Sequence, residues 1–575
     1  MTMGHRIFKG GEYLLQDIGC REVFTPEDFT DEQRQIAATT EQFVAAEIQP
    51  VNADIEAGDF DLVVRKLKAC AELGLMMIDA PEQYGGLELD KATSMVVMER
   101  MAFARNFGLS YMVQTGIGML PLIYYGTAEQ KERYLGRLIR AEMIGAYCLT
   151  EPGSGSDALG ARTTATLSGD GREYILSGTK QFSSNAGFAD LFTIFAKVDK
   201  VHFTAFLVER SAAGLSLGPE EKKMGMHGSS TRQVILDNVR VPVENVLGEV
   251  GKGHKIAFNV LNVGRFKLGA FCVGQAKYAL AEGARYANER RQFDVPISSF
   301  GAIREKLAAV AASTFAAEAV VYRLAGLIDD RLATIARGTG TYYVDYQKGI
   351  EEYAAECALT KVFCSEAAAR SIDAMLQVHG GYGYIAEYPI EQLYRDERVQ
   401  RIYEGTNEIN RLLIPGLLLR KGIGGKGVEP VFAAAVGRFA PEKQLLQGMK
   451  RTCLALTDRI VARFGAAVAG EQEILLALAD AAIQTFALES AVLRADKAAV
   501  AASENKQELY QAMVTLCTFT ARQRFVDAAD KCAAFIGDAP PPAATVAVTA
   551  FQVHGLLAAQ RLIAAAVSQA ERYIF

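Results

Sequence analysis

The sequence has no tryptophan, few histidines and no paired-cysteine motif, and each scarcity narrows the functions it can have. Without tryptophan, the 29 phenylalanines and 22 tyrosines are the aromatic residues available to stack on a flat ligand. The six histidines form no HxxxH or HExxH pair and the nine cysteines form no CxxC pair, so no metal site is expected. The scattered thiols indicate reduced cysteines in a cytoplasmic compartment rather than a disulfide framework.

Excess basic charge and long apolar runs are missing as well. The formal net charge of −6 gives no basic surface for nucleic acid, so none is expected as a partner. The opening residues, MTMGHRIFKGGEYLL, lack the charged-then-apolar pattern of a signal peptide. No uncharged apolar run reaches the roughly 18–20 residues that cross a bilayer. A chain of 575 residues is nevertheless long enough for several domains.

Hydrophobic periodicity divides the chain into four segments. Residues 30–145 repeat apolar positions at helical spacing and predict a helical domain. Residues 146–250 contain short runs such as LFTIFAKV and HFTAFLVE, separated by Gly, Asp and Asn, and predict a β barrel or sandwich. Helical periodicity returns over 254–420. Residues 430–575 are Ala-rich and predict a further helical domain.

Individual helices can be placed within the later segments. Long helices are predicted over 264–291, 299–327 and 343–378. The triple proline at 540–542 breaks the last segment, and one helix of about 30 residues is expected after it. Its stripe of Val and Leu at helical spacing predicts a core-facing surface, with a membrane-facing surface as the alternative.

A glycine-rich linker between the last two segments contains a misleading motif. Residues 422–427, GIGGKG, match the GxGxxG pattern of dinucleotide-binding loops. That pattern requires a strand before it, a helix after it and an acidic residue about 20 positions later. The preceding LLIPGLLLRK does not have the pattern of a buried strand, so a flexible linker is the better interpretation.

The most informative stretch is QVHGGYGYIAEYPIEQLYRDERVQRIYEGTNEINR, over residues 377–411. Its glycines let a backbone approach a ligand closely. Glu404 stands between Tyr403 and the Gly405–Thr406 pair and is a candidate base. On residue type alone, a surface glutamate near the start of a helix is the better interpretation.

Four other stretches suit a ligand, and the first three of them suit one that carries a ring and phosphates. Residues 147–157 and 178–186 offer hydroxyls, small residues and free backbone N–H groups, although Gly-Ser-Gly-Ser is also simply a turn. Paired arginines in NERRQF, residues 288–293, suit a diphosphate, or are a solvated helix end. In NVGR, residues 262–265, an arginine at the start of a long helix faces a buried carboxylate or a ligand carbonyl, or it is a surface residue at the start of the helix.

Taken together, these stretches resemble the acyl-CoA dehydrogenase family of flavoproteins. The matching segments are LGLMMIDAPEQYGG (73–86), YCLTEPGSGSD (147–157), GTKQFSSNAGFAD (178–190), ERRQF (289–293), QVHGGYGY (377–384) and RDERVQRIYEGTNEI (395–409). The resemblance implies a multi-domain α+β fold: an N-terminal helical domain, a middle β barrel and a C-terminal helical bundle. The additional helical domain resembles the very-long-chain branch, whose members are homodimers.

Carried over position by position, the resemblance makes Glu404 the catalytic base. Cofactor contacts on the β domain are then expected at Tyr147, Leu149, Thr150, Gly155, Ser156, Phe182 and Ser184. Contacts to FAD from elsewhere, some across a subunit interface, are expected at Arg290, Phe293, Gln377, Gly380, Gly381, Thr406 and Glu408. Acyl-CoA contacts are expected at Ser156, Asn262, Arg265, Tyr403 and Gly405.

The implied reaction is FAD-dependent α,β-dehydrogenation of a saturated acyl-CoA to the trans-2-enoyl-CoA, as in the first step of fatty-acid β-oxidation. Electrons would pass to an electron-transfer flavoprotein. Pro121 stands where the long-chain branch tends to have a glycine, which favours medium- to long-chain substrates. An acyl-CoA oxidase and a non-catalytic flavoprotein scaffold remain alternatives. The protein is expected in the cytoplasm, with peripheral membrane contact through its last helices.

Overall fold

The computed structural model describes residues 6–424, 429–537 and 542–575. The chain divides into two compact units. The first, here called the sheet unit, comprises Asp31–Lys267 and Leu332–Glu351. The second, the helical unit, comprises Met1–Thr30, Leu268–Arg331 and Glu352–Phe575.

The sheet unit begins with seven α-helices. They are α1 (Asp31–Phe43), α2 (Asn52–Glu56), α3 (Phe60–Glu72), α4 (Lys91–Met101), α5 (Asn106–Val113), α6 (Leu120–Tyr125) and α7 (Ala128–Ile139). Side chains cap several of them: in α7, Thr127 and Gln130 each accept a hydrogen bond from the other's backbone N–H. The segment between α5 and α6 is a π-helical turn, Gln114–Gly118, rather than the continuous helix that periodicity suggests.

One eight-stranded sheet follows. Its strands are β1 (Gly145–Cys148), β2 (Thr164–Leu167), β3 (Glu173–Ser184), β4 (Leu191–Val198), β5 (His202–Glu209), β6 (Leu215–Glu220), β7 (Thr231–Pro242) and β8 (Val246–Leu247). The strand order is β6-β7-β3-β2-β4-β5-β8, and β1 pairs in parallel with the first half of β4. Alternate side chains of β3, β4, β5 and β7 form a dry core, which the alternating sequence pattern predicts.

The remaining elements are mostly long helices. They are α8 (Gly253–Glu289), β9 (Arg291–Gln292), β10 (Val295–Pro296), α9 (Gly301–Leu332), α10 (Tyr342–Glu351), α11 (Ala354–His379), α12 (Pro389–Glu397), α13 (Asn407–Arg420), α14 (Ala440–Phe464), α15 (Gln472–Ala498), α16 (Glu504–Ile536), α17 (Ala543–Ala550) and α18 (Leu556–Ala570). Helices α14–α18 form the additional domain, here called the extension. The predicted α+β class is confirmed.

Three predicted helix limits are wrong. Helix α8 begins at Gly253 rather than 264, because Ile256, Ala257 and Val260 extend its buried face. The helix predicted over 343–378 is two helices, since the buried Tyr353 leaves the helical conformation and donates its hydroxyl to the carbonyl of Phe8. The last helix is broken between α17 and α18, where Gly555 has a φ of 71°.

Residues 6–30 are folded into the helical unit through buried charges. The Arg494 guanidinium of α15 donates to Glu27, 3.0 Å away, and to Glu318 of α9, 2.6 Å away. Lys277 also pairs with Glu318, and Tyr573 donates to it at 2.7 Å. Two cations therefore balance two carboxylates, a requirement for keeping such charges away from water. We call these residues the Arg494 cluster.

Helices α8, α9 and α15 are long and apolar enough to cross a membrane by length and composition, when up to two charges are allowed. Between 83 and 89% of each apolar stretch is buried inside the protein. Residues 425–428, which include the last three residues of the GIGGKG motif, lie outside the described residues, as do Pro540 and Pro541.

Candidate active site

Glu404 lies in a tight turn just before α13 in the helical unit. Its φ is 57°, a left-handed conformation that side chains other than glycine rarely adopt, and Gly405 follows with a φ of 81°. Such strained residues persist only where their surroundings hold them, and they are frequent at active sites. The half-buried Glu404 carboxylate is therefore the first candidate for the reacting group.

Hydrogen bonds from the side chains of Asn410, Lys361 and Thr406 hold this turn. The Asn410 side-chain amide donates to the carbonyls of Gly405 and Thr406 at 2.8 and 3.0 Å. The fully buried Lys361 ammonium donates to the Gly405 carbonyl at 2.8 Å. The Thr406 hydroxyl accepts from the Ile409 N–H and so caps α13. Buried side chains thus satisfy the carbonyls of the turn and hold the backbone that carries Glu404.

Tyr403 borders the carboxylate with a buried hydroxyl. Within the described residues that hydroxyl has no hydrogen-bond partner. Burial, with Cys272 and Glu404 nearby, raises the pKa of Tyr403 well above its usual value, so the phenol stays neutral. A neutral ring beside the carboxylate suits an apolar substrate segment.

The loop at 149–157 is fixed in the sheet unit by a buried ion pair. Lys180, at the centre of β3, is fully buried and donates to the Glu151 carboxylate at 2.8 Å. Glu151 also accepts from the backbone N–H groups of Arg162 and Thr163. Burial alone would raise the pKa of Glu151, but Lys180 and these hydrogen bonds outweigh it and leave the pKa lowered. The backbone N–H of Gln181 also donates a hydrogen bond to the carbonyl of Thr150 in this loop.

The predicted cofactor residues of the β domain gather around this loop. Phe182 lies at a β-bulge in β3, has a φ of 54°, and leaves 62% of its surface exposed. A bulge commonly redirects a side chain towards a binding site. Tyr147 is buried against Phe195, while Gly155 and Ser156 are exposed. A Cβ at Gly155 would touch no protein atom, so no contact within the chain demands glycine there.

Replacing Lys180 with methionine should weaken FAD binding about tenfold, because the loop then loses the cation that balances Glu151. The pKa of Glu151 is lowered, so this support is present at neutral pH and is lost as the pH falls through the lowered pKa. Titrating apoprotein with FAD measures the effect. Lys252→Met, at an exposed position, is the control and should bind FAD as the natural protein does.

Asn262 and Arg265 form a preorganised pair on α8. The Arg265 guanidinium donates to the Asn262 side-chain oxygen at 3.1 Å, and both residues are buried. Because α8 begins at Gly253, Arg265 lies three turns inside the helix and not at its start, contrary to expectation. The pair therefore presents a fixed amide and guanidinium rather than a mobile surface charge.

Arg290 lies close to the glycine turn at 380–384 in the helical unit. Its guanidinium lies 5.6 Å from the centre of the Tyr382 ring, and Tyr286 stacks on His379 at 4.4 Å. Arg291 instead donates to the carbonyl of Asp294, so the two arginines do not act as a pair. Phe293 is 88% exposed at the tip of the β9–β10 hairpin. Gln377 and Gly380 are exposed as well, and Gly380 has a φ of 60°.

Thr406 and Glu408 share a cavity of about 360 Å³ at the start of α13. Arg370, Arg398 and Arg401 line the same cavity. Guanidinium groups bind phosphates well, so this wall fits the phosphates of a dinucleotide. In the sheet unit, the exposed ring of Phe182 and the open space at Gly155 fit the flavin of FAD on their own.

Reasoning from the sequence missed the residues that support the site. Lys361 lies outside every motif quoted above, whereas Glu151, Lys180 and Asn410 lie within quoted stretches in which nothing assigns them a role. A lysine in an apolar run, as at Lys361 in CALTKVFC, is an available signal, because a buried charge needs a partner.

The sequence matches family descriptions of the acyl-CoA dehydrogenases over most of its length. The N-terminal domain matches residues 30–142, the middle domain 146–239 and the C-terminal domain 251–416. A further description, also termed acyl-CoA dehydrogenase C-terminal domain, matches residues 448–537 of the extension.

Three similar proteins illustrate the likeness. A probable acyl-CoA dehydrogenase of Bacillus subtilis is 46% identical over 514 residues, which is 87% of this chain and 86% of that protein. The very long-chain specific acyl-CoA dehydrogenase of mouse mitochondria is 38% identical over 60% of this chain and 52% of its own length. A crystal structure of acyl-CoA dehydrogenase complexed with FAD from Bacillus anthracis is 43% identical, with a TM-score of 0.95 over 99% of this chain and all of that one.

Proposed function

Since the chain belongs to the acyl-CoA dehydrogenase family of FAD-dependent oxidoreductases, we propose that it converts a saturated acyl-CoA to the trans-2-enoyl-CoA. The observation that carries the proposal is the Glu404 carboxylate, held in a strained turn beside the neutral ring of Tyr403. Bound FAD supplies the two-electron oxidant for the β-hydrogen.

In this proposal Glu404 removes the α-proton of the thioester. A carboxylate in water is far too weak a base for that proton, so the site must exclude water and stabilise the enolate-like charge. Tyr403 covers the carboxylate with an apolar ring. Because Lys361 and Asn410 bind the carbonyls of the turn, the backbone N–H groups beside Glu404 keep one direction and suit the developing oxyanion. Arg265 and Asn262 orient the acyl-CoA.

Anaerobic mixing of the FAD-loaded protein with saturated acyl-CoAs of increasing chain length tests this function. We expect the flavin absorbance to bleach and the enoyl-CoA to form, most rapidly with medium- to long-chain thioesters, because Pro121 occupies a position where longer cavities have glycine. A flavin that no acyl-CoA bleaches, together with a stable complex with another protein, would favour a scaffold instead.

We propose an electron-transfer flavoprotein as the electron acceptor and β-oxidation as the pathway. The extension resembles the very-long-chain dehydrogenases, which favours this acceptor over oxygen. Measuring hydrogen peroxide against reduction of an electron-transfer flavoprotein separates the two. Peroxide formed at the rate of turnover would make the protein an acyl-CoA oxidase.

We further propose a cytoplasmic homodimer in which the exposed Phe293 and Tyr384 face a second copy. Eight of the nine free cysteines are buried, which suits a reducing compartment. Sedimentation velocity of Phe293→Ser tests the contact between two copies.

Exposed apolar side chains on α17 and α18, Val546, Leu557 and Leu562, suit peripheral membrane contact. Flotation with lipid vesicles tests the membrane contact.

A further inference from the structure

The turn that carries Glu404 is joined to a buried polar chain that continues beyond it. Lys361 donates to the Asn407 side-chain oxygen at 2.7 Å as well as to the Gly405 carbonyl. Asn407 in turn donates to Ser365 and to the Glu366 carboxylate, at 3.2 and 3.1 Å. Lys361, Ser365 and Asn407 are buried. A displacement of Glu366 would therefore be transmitted to the carbonyl next to the catalytic base.

Arg411 fixes Glu366. It lies on α13, one turn after Asn407, and its guanidinium reaches the Glu366 carboxylate at 2.7 Å. The same guanidinium donates through Nε to Asp480 at 2.8 Å. Burial would lower the pKa of Arg411, but the two carboxylates outweigh it and raise the pKa, so the guanidinium is charged at every relevant pH.

Asp480 is the only member of this chain of contacts that belongs to the extension. It lies on α15, whereas Lys361 and Glu366 lie on α11, and Asn407 and Arg411 on α13. The Arg411 side chain is only 15% exposed and the Asp480 side chain is 39% exposed, so their ion pair is partly shielded from water. Arg370 also approaches Glu366, at 3.7 Å, but it shares α11 with Glu366.

We propose that Asp480 is a positioning residue for the catalytic base, and that the extension holds the Glu404 turn through Asp480, Arg411, Glu366, Asn407 and Lys361. The proposal rests on the function proposed above. A glutamate in a left-handed turn has a narrow range of useful positions, and a shift of about 1 Å costs up to about 100-fold in rate. The extension would then contribute to catalysis without touching the substrate.

The test compares two variants of the full-length, FAD-loaded protein. Asp480→Asn removes the charge that binds Arg411 and keeps the size of the side chain. Asp527→Asn removes the same charge from α16, where Asp527 lines the same cavity as Asp480 but pairs only with Lys531 at the surface. We expect Asp480→Asn to slow flavin reduction by acyl-CoA about tenfold with unchanged half-saturation. Asp527→Asn should leave the rate unchanged.

A second readout does not need turnover. Amide hydrogen exchange in peptides covering residues 402–410 should accelerate in Asp480→Asn and not in Asp527→Asn. Asp480→Glu, which keeps the charge, should restore much of the rate and the protection. Unchanged rate and exchange in Asp480→Asn, or equal losses in both Asn variants, would overturn the proposal. If no acyl-CoA bleaches the natural protein, the proposed function fails, while the exchange comparison still tests the coupling.

Discussion

Replacing Glu404 with glutamine should leave FAD bound but slow flavin reduction by acyl-CoA about 1,000-fold or more. Glutamine has nearly the same shape, so Asn410 and Lys361 can still hold the turn. Its amide cannot accept the α-proton, and no other carboxylate follows in the turn before Glu408. The loss should therefore appear in the chemical step rather than in binding.

Anaerobic stopped-flow spectroscopy measures this loss, and the flavin spectrum before mixing reports retention of FAD. Glu387→Gln provides the control, because Glu387 is an exposed glutamate of the same helical unit. It should bleach at the natural rate. Normal bleaching in Glu404→Gln would show that another group removes the proton.

Replacing Arg494 with methionine should destabilise the helical unit by about 3–5 kcal/mol. Methionine fills much of the same space against Phe315, whose ring centre lies 4.3 Å from the guanidinium carbon. It leaves Glu318 with the Lys277 cation and the Tyr573 hydroxyl, and it leaves Glu27 without the buried cation. Breaking one side of a buried pair is far more harmful than losing an exposed pair.

Urea unfolding followed by circular dichroism measures this change, with amide exchange in α15 as a local probe. Lys531→Met removes a lysine paired with Asp527, and both side chains of that pair are more than half exposed. Such a surface pair contributes at most about 1 kcal/mol. Similar losses in both variants would mean that the Arg494 cluster contributes no more than a surface pair.

The Arg494 cluster also sets a pH dependence. Burial would raise the pKa of Glu318, but Arg494 and Lys277 outweigh it and lower the pKa from 4.5 to about 2. A carboxylate whose pKa is lower in the folded state stabilises that state above its ordinary pKa. This contribution is complete above 4.5 and is lost as the pH falls towards 2.

The sequence indicates the candidate site residues better than it indicates the buried charged residues that support them. Glu404, Gly380 and the loop at 149–157 lie in continuous motifs, and the resemblance to the family rests on such motifs. The buried cations Lys361, Lys180 and Arg494 have partners that are distant along the chain. No periodicity can indicate which group each one meets.

Some predicted helix boundaries are wrong for a related reason. The apolar spacing of 343–378 is the same on both sides of Tyr353, so the break depends on the hydrogen bond from its hydroxyl to Phe8. The break before α18 depends on Gly555, whose positive φ is only one of several conformations that a glycine can adopt. Long runs of regular pattern, such as β4, β5 and α9, are predicted correctly because burial alone specifies them.

The Arg494 cluster affects when the first residues of the chain can fold during synthesis. Glu27 leaves the ribosome 467 residues before Arg494, its partner, and still earlier than Tyr573, which completes the cluster. Until then the residues around Glu27 lack these partners, since contacts of such long sequence separation form late. We expect this part of the chain to stay open to proteases and chaperones until the extension has folded.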